Sequence, residues 1–150
     1  MSHSLGNWAV LIIKAFCAAV IFCATLATVW TVGPAVETRF WPAVSKLTII
    51  AMHENDEGMA VLDAQFNKFR DCEYLGIAWF LRQDDGSFER VPVILQRREG
   101  DTSSPNRPTG TQRAGPWIIG MSTADLTSRS FARLSHRCNP FWVTTTDFYP

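Results

Sequence analysis

The pattern of hydrophobic and polar positions changes once along the chain, close to residue 36. Residues 15–36 carry no charged side chain and are mostly apolar. At about 1.5 Å rise per residue, a helix over this stretch is about 33 Å long, which matches the roughly 30 Å hydrocarbon core of a bilayer. We therefore expect residues 1–36 to form an N-terminal tail and a transmembrane α-helix. Pro34 is expected to break this helix, and residues 37–43 to form a linker.

Beyond residue 43, apolar and polar positions alternate, and β-branched and aromatic residues become frequent. A period of two is typical of strands with one buried face, so residues 44–150 are expected to form an all-β domain. About seven strands in this length predict a two-layer antiparallel β-sandwich, immunoglobulin-like in size. The alternation predicts inward rows on the first two strands, formed by Leu47, Ile49 and Ala51 and then by Ala60, Leu62, Ala64 and Phe66.

Further elements follow from turn and breaker residues. Residues 75–81 are apolar at both parities, which predicts a central strand with Trp79 in the core, and Asp84-Asp85-Gly86 predicts a hairpin turn. Pro92 has no N–H to donate, so the strand with Val91, Val93 and Leu95 inward is expected at a sheet edge. The remaining expectations are a long loop over 98–116, a short strand over 117–120, a turn of helix over 122–126 and strands over 130–138 and 141–149.

Composition excludes several function classes. Fourteen Lys and Arg balance fourteen Asp and Glu, so no overall charge favours a nucleic-acid partner. The chain contains no HExxH motif, no G-x-S-x-G motif and no phosphate-cradling glycine loop. We expect a protein that is not an enzyme, needs no cofactor and has no evident small-molecule substrate.

The cysteines bear on the compartment. Cys72 and Cys138 are the two cysteines of the predicted β domain. We expect them to form a disulfide in a domain that faces the periplasm or exterior, with the anchor in the inner membrane. Two buried, reduced thiols in a cytoplasmic domain are the alternative. A cleaved signal peptide is the alternative to a retained anchor, although the apolar run is longer than the roughly 7–15 residues of a signal core.

Two surfaces are candidate binding sites. Small residues recur at every fourth position of the predicted helix, which lets a second helix approach closely, and they are Ala15, Ala19, Cys23 and Ala27. Arginines crowd the predicted long loop and the strand that follows, and they form one basic patch if these segments are neighbours. They are Arg97, Arg98, Arg107, Arg113, Arg129, Arg133 and Arg137. A solvated strand face with ion pairs is the alternative interpretation of the arginines.

The sequence therefore predicts a single-pass envelope protein whose β-sandwich is an accessory module of a membrane assembly. Its expected partners are other membrane or envelope proteins, including a second copy through the helix. One alternative is a periplasmic copper-type metal-handling protein that uses His53, His136 and Met121, because imidazole and thioether groups suit copper. A further alternative is an envelope protein borne by a phage or mobile element.

Overall fold

The structure, a computed structural model, describes residues 2–96 and 106–150, with side chains from residue 8 onward. The chain begins with one long helix, α1, which spans Ser2–Phe40. The part Trp8–Phe40 has a mean hydropathy of 2.5 and is long and apolar enough to cross a membrane. The predicted apolar helix is present, and it carries a separate β-rich domain at its C-terminal end.

The predicted helix break at Pro34 is wrong. Pro34 lies inside α1, and residues 37–40, which were expected to belong to a linker, are helical. Proline cannot donate to the carbonyl four residues earlier, here that of Trp30, so the helix loses one hydrogen bond at Pro34. The following turn is held by the domain, because the Thr38 hydroxyl, which donates to the Pro34 carbonyl at 2.9 Å, also lies 3.1 Å from the Thr145 carbonyl of the β domain. The helix therefore continues because its last turns rest on the β domain.

The described part of the domain contains eight strands and one short helix. The elements are β1 (Thr48–Glu54), β2 (Ala60–Lys68), β3 (Glu73–Arg82), β4 (Phe88–Val91), β5 (Val93–Leu95), β6 (Gly110–Ile119), α2 (Thr123–Arg129), β7 (Ser130–Arg137) and β8 (Thr144–Phe148). The first sheet has the order β1-β2-β6-β5 and the second has the order β4-β3-β7-β8. All pairings are antiparallel. The sheets do not close into a barrel, which is consistent with the predicted sandwich.

Pro92 separates two strands that belong to different sheets. The sequence predicts one edge strand through Val91, Val93 and Leu95, but β4 ends at Val91 in the second sheet and β5 begins at Val93 in the first. Both short strands lie at sheet edges, as expected for a residue that cannot donate to a ladder. The predicted edge location is confirmed, and the prediction of one continuous strand is wrong.

The core lies between the two sheets. Trp79 of β3 is 1% exposed and meets Trp117 of β6 edge to face, with ring centroids 6.4 Å apart. The indole of Trp79 donates to the Ser130 hydroxyl at 2.9 Å, so its polar atom is satisfied. The inward row Ala60, Leu62 and Ala64 of β2 is fully buried. The predictions for Trp79 and for these three β2 residues are confirmed.

Two local expectations differ from the structure. Ala51 was expected inward, but it is exposed, because a register shift between Ile49 and Ala51 moves the following residues to the other face. The predicted loop over 98–116 is half wrong, because β6 already begins at Gly110. Residues 97–105 lie outside the described part of the chain. The predicted helical turn is present as α2, with Ser122 as its N-cap.

A disulfide joins Cys72 to Cys138, as the sequence predicts. Cys72 precedes β3 and Cys138 follows β7, so the bond links two neighbouring strands of the second sheet at one end. It encloses a chain segment with a sequence separation of 66. Closing a loop of this length restricts the unfolded chain and stabilises the domain by about 4 kcal/mol in the chain-entropy model.

Candidate functional site

The outer face of the second sheet carries exposed aromatic and basic side chains. Cross-strand pairing places Phe80 of β3 between Arg90 of β4 and Phe131 of β7, and it places Arg82 opposite Phe88. Trp79 and Ala132, the neighbours of Phe80 and Phe131 in sequence, are buried in the core. Successive strand residues point to opposite faces, so these aromatic and basic residues point outward. We define the aromatic–arginine face as Phe80, Arg82, Phe88, Arg90, Phe131 and Tyr149.

The aromatic rings of this face pack around Phe131. Phe80 stacks on Phe131 with centroids 4.9 Å apart, Phe88 meets it edge to face at 5.1 Å, and Tyr149 stacks at 5.7 Å. Phe131 is thereby only 9% exposed, whereas Phe88 is 56% and Tyr149 77% exposed. Aromatic pairs at these distances favour defined ring orientations. The face presents two large exposed rings on a well-packed base.

The basic side chains on the outer side of the second sheet are of two kinds, those of the face itself and Arg133 beside it. Arg133 donates twice to the Asp147 carboxylate, at 2.7 and 2.8 Å, and lies 5.6 Å from the Phe131 ring centroid. Donating these hydrogen bonds to the Asp147 carboxylate raises the pKa of the Arg133 guanidinium. Arg82 and Arg90 are exposed, and no described carboxylate lies within ion-pair distance of either. Two guanidinium groups are therefore available to a partner.

The arginines singled out from the sequence do not form one surface in the described part of the chain. Arg129 pairs with Asp125 and Asp84, and Arg137 pairs with Glu73. Arg113 lies on β6 next to buried Ala114, so it points outward from the opposite sheet. The predicted basic patch is therefore divided between two faces and partly neutralised. Arg97 and Arg98 lie outside the described residues, and Arg107 lines a cavity between the two sheets.

The junction between α1 and the domain is built around one buried carboxylate. Glu37 is 8% exposed, and its Oε1 accepts a hydrogen bond from the Arg70 guanidinium. Its Oε2 accepts from Asn139 Nδ2 at 3.0 Å, Trp142 Nε1 at 2.6 Å and Thr144 Oγ1 at 2.8 Å. A buried charge is tolerated when it is paired and its lone pairs are satisfied. Glu37 therefore joins the helix to three segments of the domain.

Close packing supports the same junction. A Cβ atom at Gly33 would lie 2.9 Å from the Trp142 ring, so only glycine allows the ring to pack directly on the helix. One turn earlier, Trp30 meets Phe141 edge to face at 6.4 Å. Exposed aromatic side chains surround this region, namely Phe40, Trp41, Phe69 and Phe141. Amphipathic rings such as that of Trp41 favour the boundary between headgroups and acyl chains, and the exposed Phe rings add apolar surface beside it.

The residues predicted for a metal site do not meet. Ala60, at the start of β2, bonds to the Met121 carbonyl, and His53 pairs with Val61 at the same end. His136 lies near Lys68, at the other end of β2. At about 3.3 Å per residue, β2 separates the two ends by roughly 26 Å. His53, Met121 and His136 therefore cannot ligate one ion, and the described residues contain no group of three His, Cys, Asp or Glu placed for a metal.

His136 points inward, as the alternation with Ala132 and Leu134 predicts, and is 3% exposed. Burial and the nearby Lys68 ammonium lower the pKa of His136 to about 4. Ala15, Ala19, Cys23 and Ala27 lie along α1 and are exposed, so their role in helix pairing stays a prediction. Cys17 and Cys23 are free thiols.

Sequence reasoning missed the aromatic–arginine face and the role of Glu37. The positions of Phe80 and Arg82, one and three residues after Trp79, could have identified the face, because they place both side chains on the side of the strand opposite the core. The cross-strand neighbours of these residues could not be read from one sequence. Comparison of this chain with protein-family models, with curated proteins and with solved structures finds no match.

Proposed function

We propose that this protein is a single-pass membrane protein whose β-sandwich is an interaction module of a membrane assembly. The aromatic–arginine face carries this proposal. Interface cores are enriched in aromatic residues and arginine, and binding energy concentrates in such residues. The four rings and the exposed guanidinium groups of Arg82 and Arg90 have this composition. The partner we propose is an envelope or membrane protein that presents acidic side chains around an apolar patch.

The anchor supports a location at a membrane surface. Trp8 and Trp30 lie 22 positions apart in α1, which corresponds to about 33 Å along a helix and to the thickness of a bilayer core. With Trp30 at one interface, the Glu37 junction and the exposed aromatic side chains lie just outside the hydrocarbon. We infer that the domain rests on the membrane through the Glu37 junction and these aromatic side chains, and that it does not extend from the membrane on a flexible segment.

The disulfide supports an extracytoplasmic orientation. Disulfides persist in oxidising compartments and are rare in the cytosol, so we propose that α1 crosses the inner membrane and that the domain faces the periplasm or exterior. The test is labelling of intact cells with a membrane-impermeant maleimide, on a variant that carries Cys17→Ser and Cys23→Ser. Labelling that appears only after reduction is the expected result. Labelling that needs a permeabilised membrane but no reductant would reverse the orientation.

The strand order supports an immunoglobulin-like arrangement, which we propose for the sandwich. In immunoglobulin domains one sheet has the order A-B-E-D and the other contains C-F-G. With the strands lettered in chain order and β4 in the place of C′, the order β1-β2-β6-β5 corresponds to the first sheet and β3-β7-β8 to the second. The disulfide differs, because it links neighbours within one sheet and not the two sheets.

Site-specific photo-crosslinking in intact cells tests the proposed interface. A photoreactive phenylalanine at Phe88 is expected to give one adduct of defined mass, whereas the same group at Gln65, on the outer face of the first sheet, is expected to give none. Reversing both charges with Arg82→Glu and Arg90→Glu should abolish the adduct. Arg113→Glu, the same change on the opposite face, should leave it intact. Equal adducts from both faces, no adduct, or indifference to the double reversal would refute the assignment.

A further inference from the structure

Two inward rows end in basic side chains at the same end of the sandwich. The row of β2 that begins at Ala60 ends at Lys68, and the row of β7 that contains Leu134 ends at His136. Lys68 and His136 are each 3% exposed. Burying an ammonium or an unpaired imidazole costs free energy, so this end of the core is unlike the rest.

A cavity lies between the sheets beside these two residues. Its volume is about 80 Å³, and its apolar wall includes Phe66, Ile77, Ala114 and Leu134. A volume of about 10–15 Å³ suffices for one water, and an apolar cavity of about 150 Å³ holds benzene. The cavity is therefore large enough for a short aliphatic group. Arg107 also contributes to its lining.

The polar groups of the cavity are incompletely satisfied. His136 Nδ1 is buried and has no hydrogen-bond partner among the residues that the structure describes. Lys68 Nζ donates to the Arg107 carbonyl at 2.6 Å, and its carboxylate neighbour is Asp71 Oδ1 at 3.6 Å, on a side chain that is 92% exposed. Among the described residues, the buried ammonium thus has one distant and well-solvated counter-charge. An anion in the cavity would compensate it far better.

We propose that this cavity binds the carboxylate end of an aliphatic acid, namely the carboxylate and its first few methylenes. One carboxylate oxygen accepts a hydrogen bond from Lys68 Nζ, and the other accepts one from the Nδ1–H tautomer of His136. The aliphatic tail packs against Ile77, Ala114 and Leu134. This ligand class satisfies the buried cation, the unpartnered imidazole nitrogen and the apolar wall together, whereas an inorganic anion leaves the wall uncovered and a hydrocarbon leaves the cation unpaired.

Such a carboxylate has two sources, a free short-chain acid or a fatty acid from the adjacent membrane. The cavity lies near the membrane junction, because Arg70, two residues after Lys68, bonds to Glu37. Asn139, three residues after His136, bonds to the same carboxylate. Probes of increasing chain length distinguish the sources. Affinity that is highest for butyrate indicates a free acid, and affinity that rises through octanoate to membrane-borne palmitate indicates a lipid.

The experiment is a titration of the full chain, with isotope-labelled isoleucine methyl groups, in nanodiscs of one synthetic phosphatidylcholine. Butyrate is expected to shift the Ile77 methyl signal and to leave the signal of exposed Ile50 unchanged. Butanol and butylamine are alkyl compounds of the same length without the negative charge. Each is expected to bind at least about tenfold more weakly than butyrate, because a charge-assisted hydrogen bond is lost. Equal shifts with butanol and butyrate, or no shift at Ile77 with any acid, would overturn the proposal.

Variants separate binding from folding. Lys68→Met should abolish the preference for butyrate over butanol while the domain stays folded, since replacing a poorly paired buried charge by an apolar side chain is often neutral or stabilising. Lys46→Met, at an exposed lysine, is the matched control and should retain the preference. Ala114→Leu should fill the cavity and prevent binding of both compounds. Retention of butyrate binding in the Lys68→Met and Ala114→Leu variants would place the site elsewhere and refute the assignment.

Discussion

The substitution Glu37→Gln tests the junction between helix and domain most directly. The carboxylate serves two sets of donors, with Arg70 on one oxygen and Asn139, Trp142 and Thr144 on the other. A glutamine of the same shape has one oxygen and one NH₂ group. In either orientation of the amide, its NH₂ group faces one of the two sets of donors and cannot accept a hydrogen bond from it. The favoured orientation keeps the oxygen on the set of three and turns the NH₂ group towards the Arg70 guanidinium.

The cost follows from the strength of hydrogen bonds to charged groups. Each contributes about 1.5–3 kcal/mol, and neutralising the acceptor roughly halves its strength. Losing the bond to Arg70 and halving the other three adds up to roughly 4–7 kcal/mol before solvent screening. The Arg70 side chain is 37% exposed, so screening reduces its part, and the expected loss in the free energy of unfolding is about 3–5 kcal/mol.

The assay is urea unfolding of the full chain in nanodiscs, followed by near-ultraviolet circular dichroism. A second readout is hydrogen exchange of the Trp142 indole, which should accelerate because its acceptor is weakened. Glu57→Gln, in the exposed turn between β1 and β2, is the matched control and should change the unfolding free energy by less than about 0.5 kcal/mol. A loss below about 1 kcal/mol in Glu37→Gln, with unchanged indole exchange, would refute the role given to this carboxylate.

Three further predictions concern stability. His136 has a pKa of about 4 in the folded protein against 6.5 for an ordinary histidine, so between pH 6.5 and 4 the unfolded chain binds a proton that the folded chain does not bind. The resulting stability loss between about pH 6.5 and 4 reaches about 3 kcal/mol and should be absent in His136→Phe, as urea unfolding at several pH values will show. Gly33→Ala places a methyl group against the Trp142 ring and should lower the melting temperature in nanodiscs by several degrees, about 1–3 kcal/mol; an unchanged melting temperature contradicts this. Replacing Cys72 and Cys138 by alanine should cost about 4 kcal/mol in the same unfolding assay, and a loss under about 1 kcal/mol would show that the crosslink does not stabilise the domain.

The local pattern of apolar and polar residues was sufficient to predict inward residues where a strand buries the same face along its whole length. The alternation of Ala60, Leu62 and Ala64 identified the inward row of β2, and Pro92 identified a sheet edge. The change of sheet at Pro92 was not visible, because the alternation of Val91, Val93 and Leu95 is the same whichever sheet holds each residue. Residues 110–116 resemble a loop in composition, and they form a strand because β2 supplies a long pairing partner from Lys68 to Ala60.

The candidate site depended on tertiary pairing to a greater extent. The outward parity of Phe80 was readable, but its position beside Arg90 and Phe131 depends on register with two other strands. Glu37 gave no local signal, since its partners lie 33 to 107 residues away in the chain. The disulfide could be predicted from the sequence because the predicted domain has only two cysteines, which leaves a single pairing.

The continuity of α1 into the domain determines the direction in which the aromatic–arginine face points. A domain on a flexible tether would sample every azimuth around the membrane normal, whereas a domain joined to the helix through Glu37 and Trp142 turns only when the helix itself turns. Inserting one residue into the membrane segment before Gly33 would rotate the domain by about 100° and raise it by about 1.5 Å. The membrane partner proposed above would then no longer meet the aromatic–arginine face, although every residue of that face is unchanged.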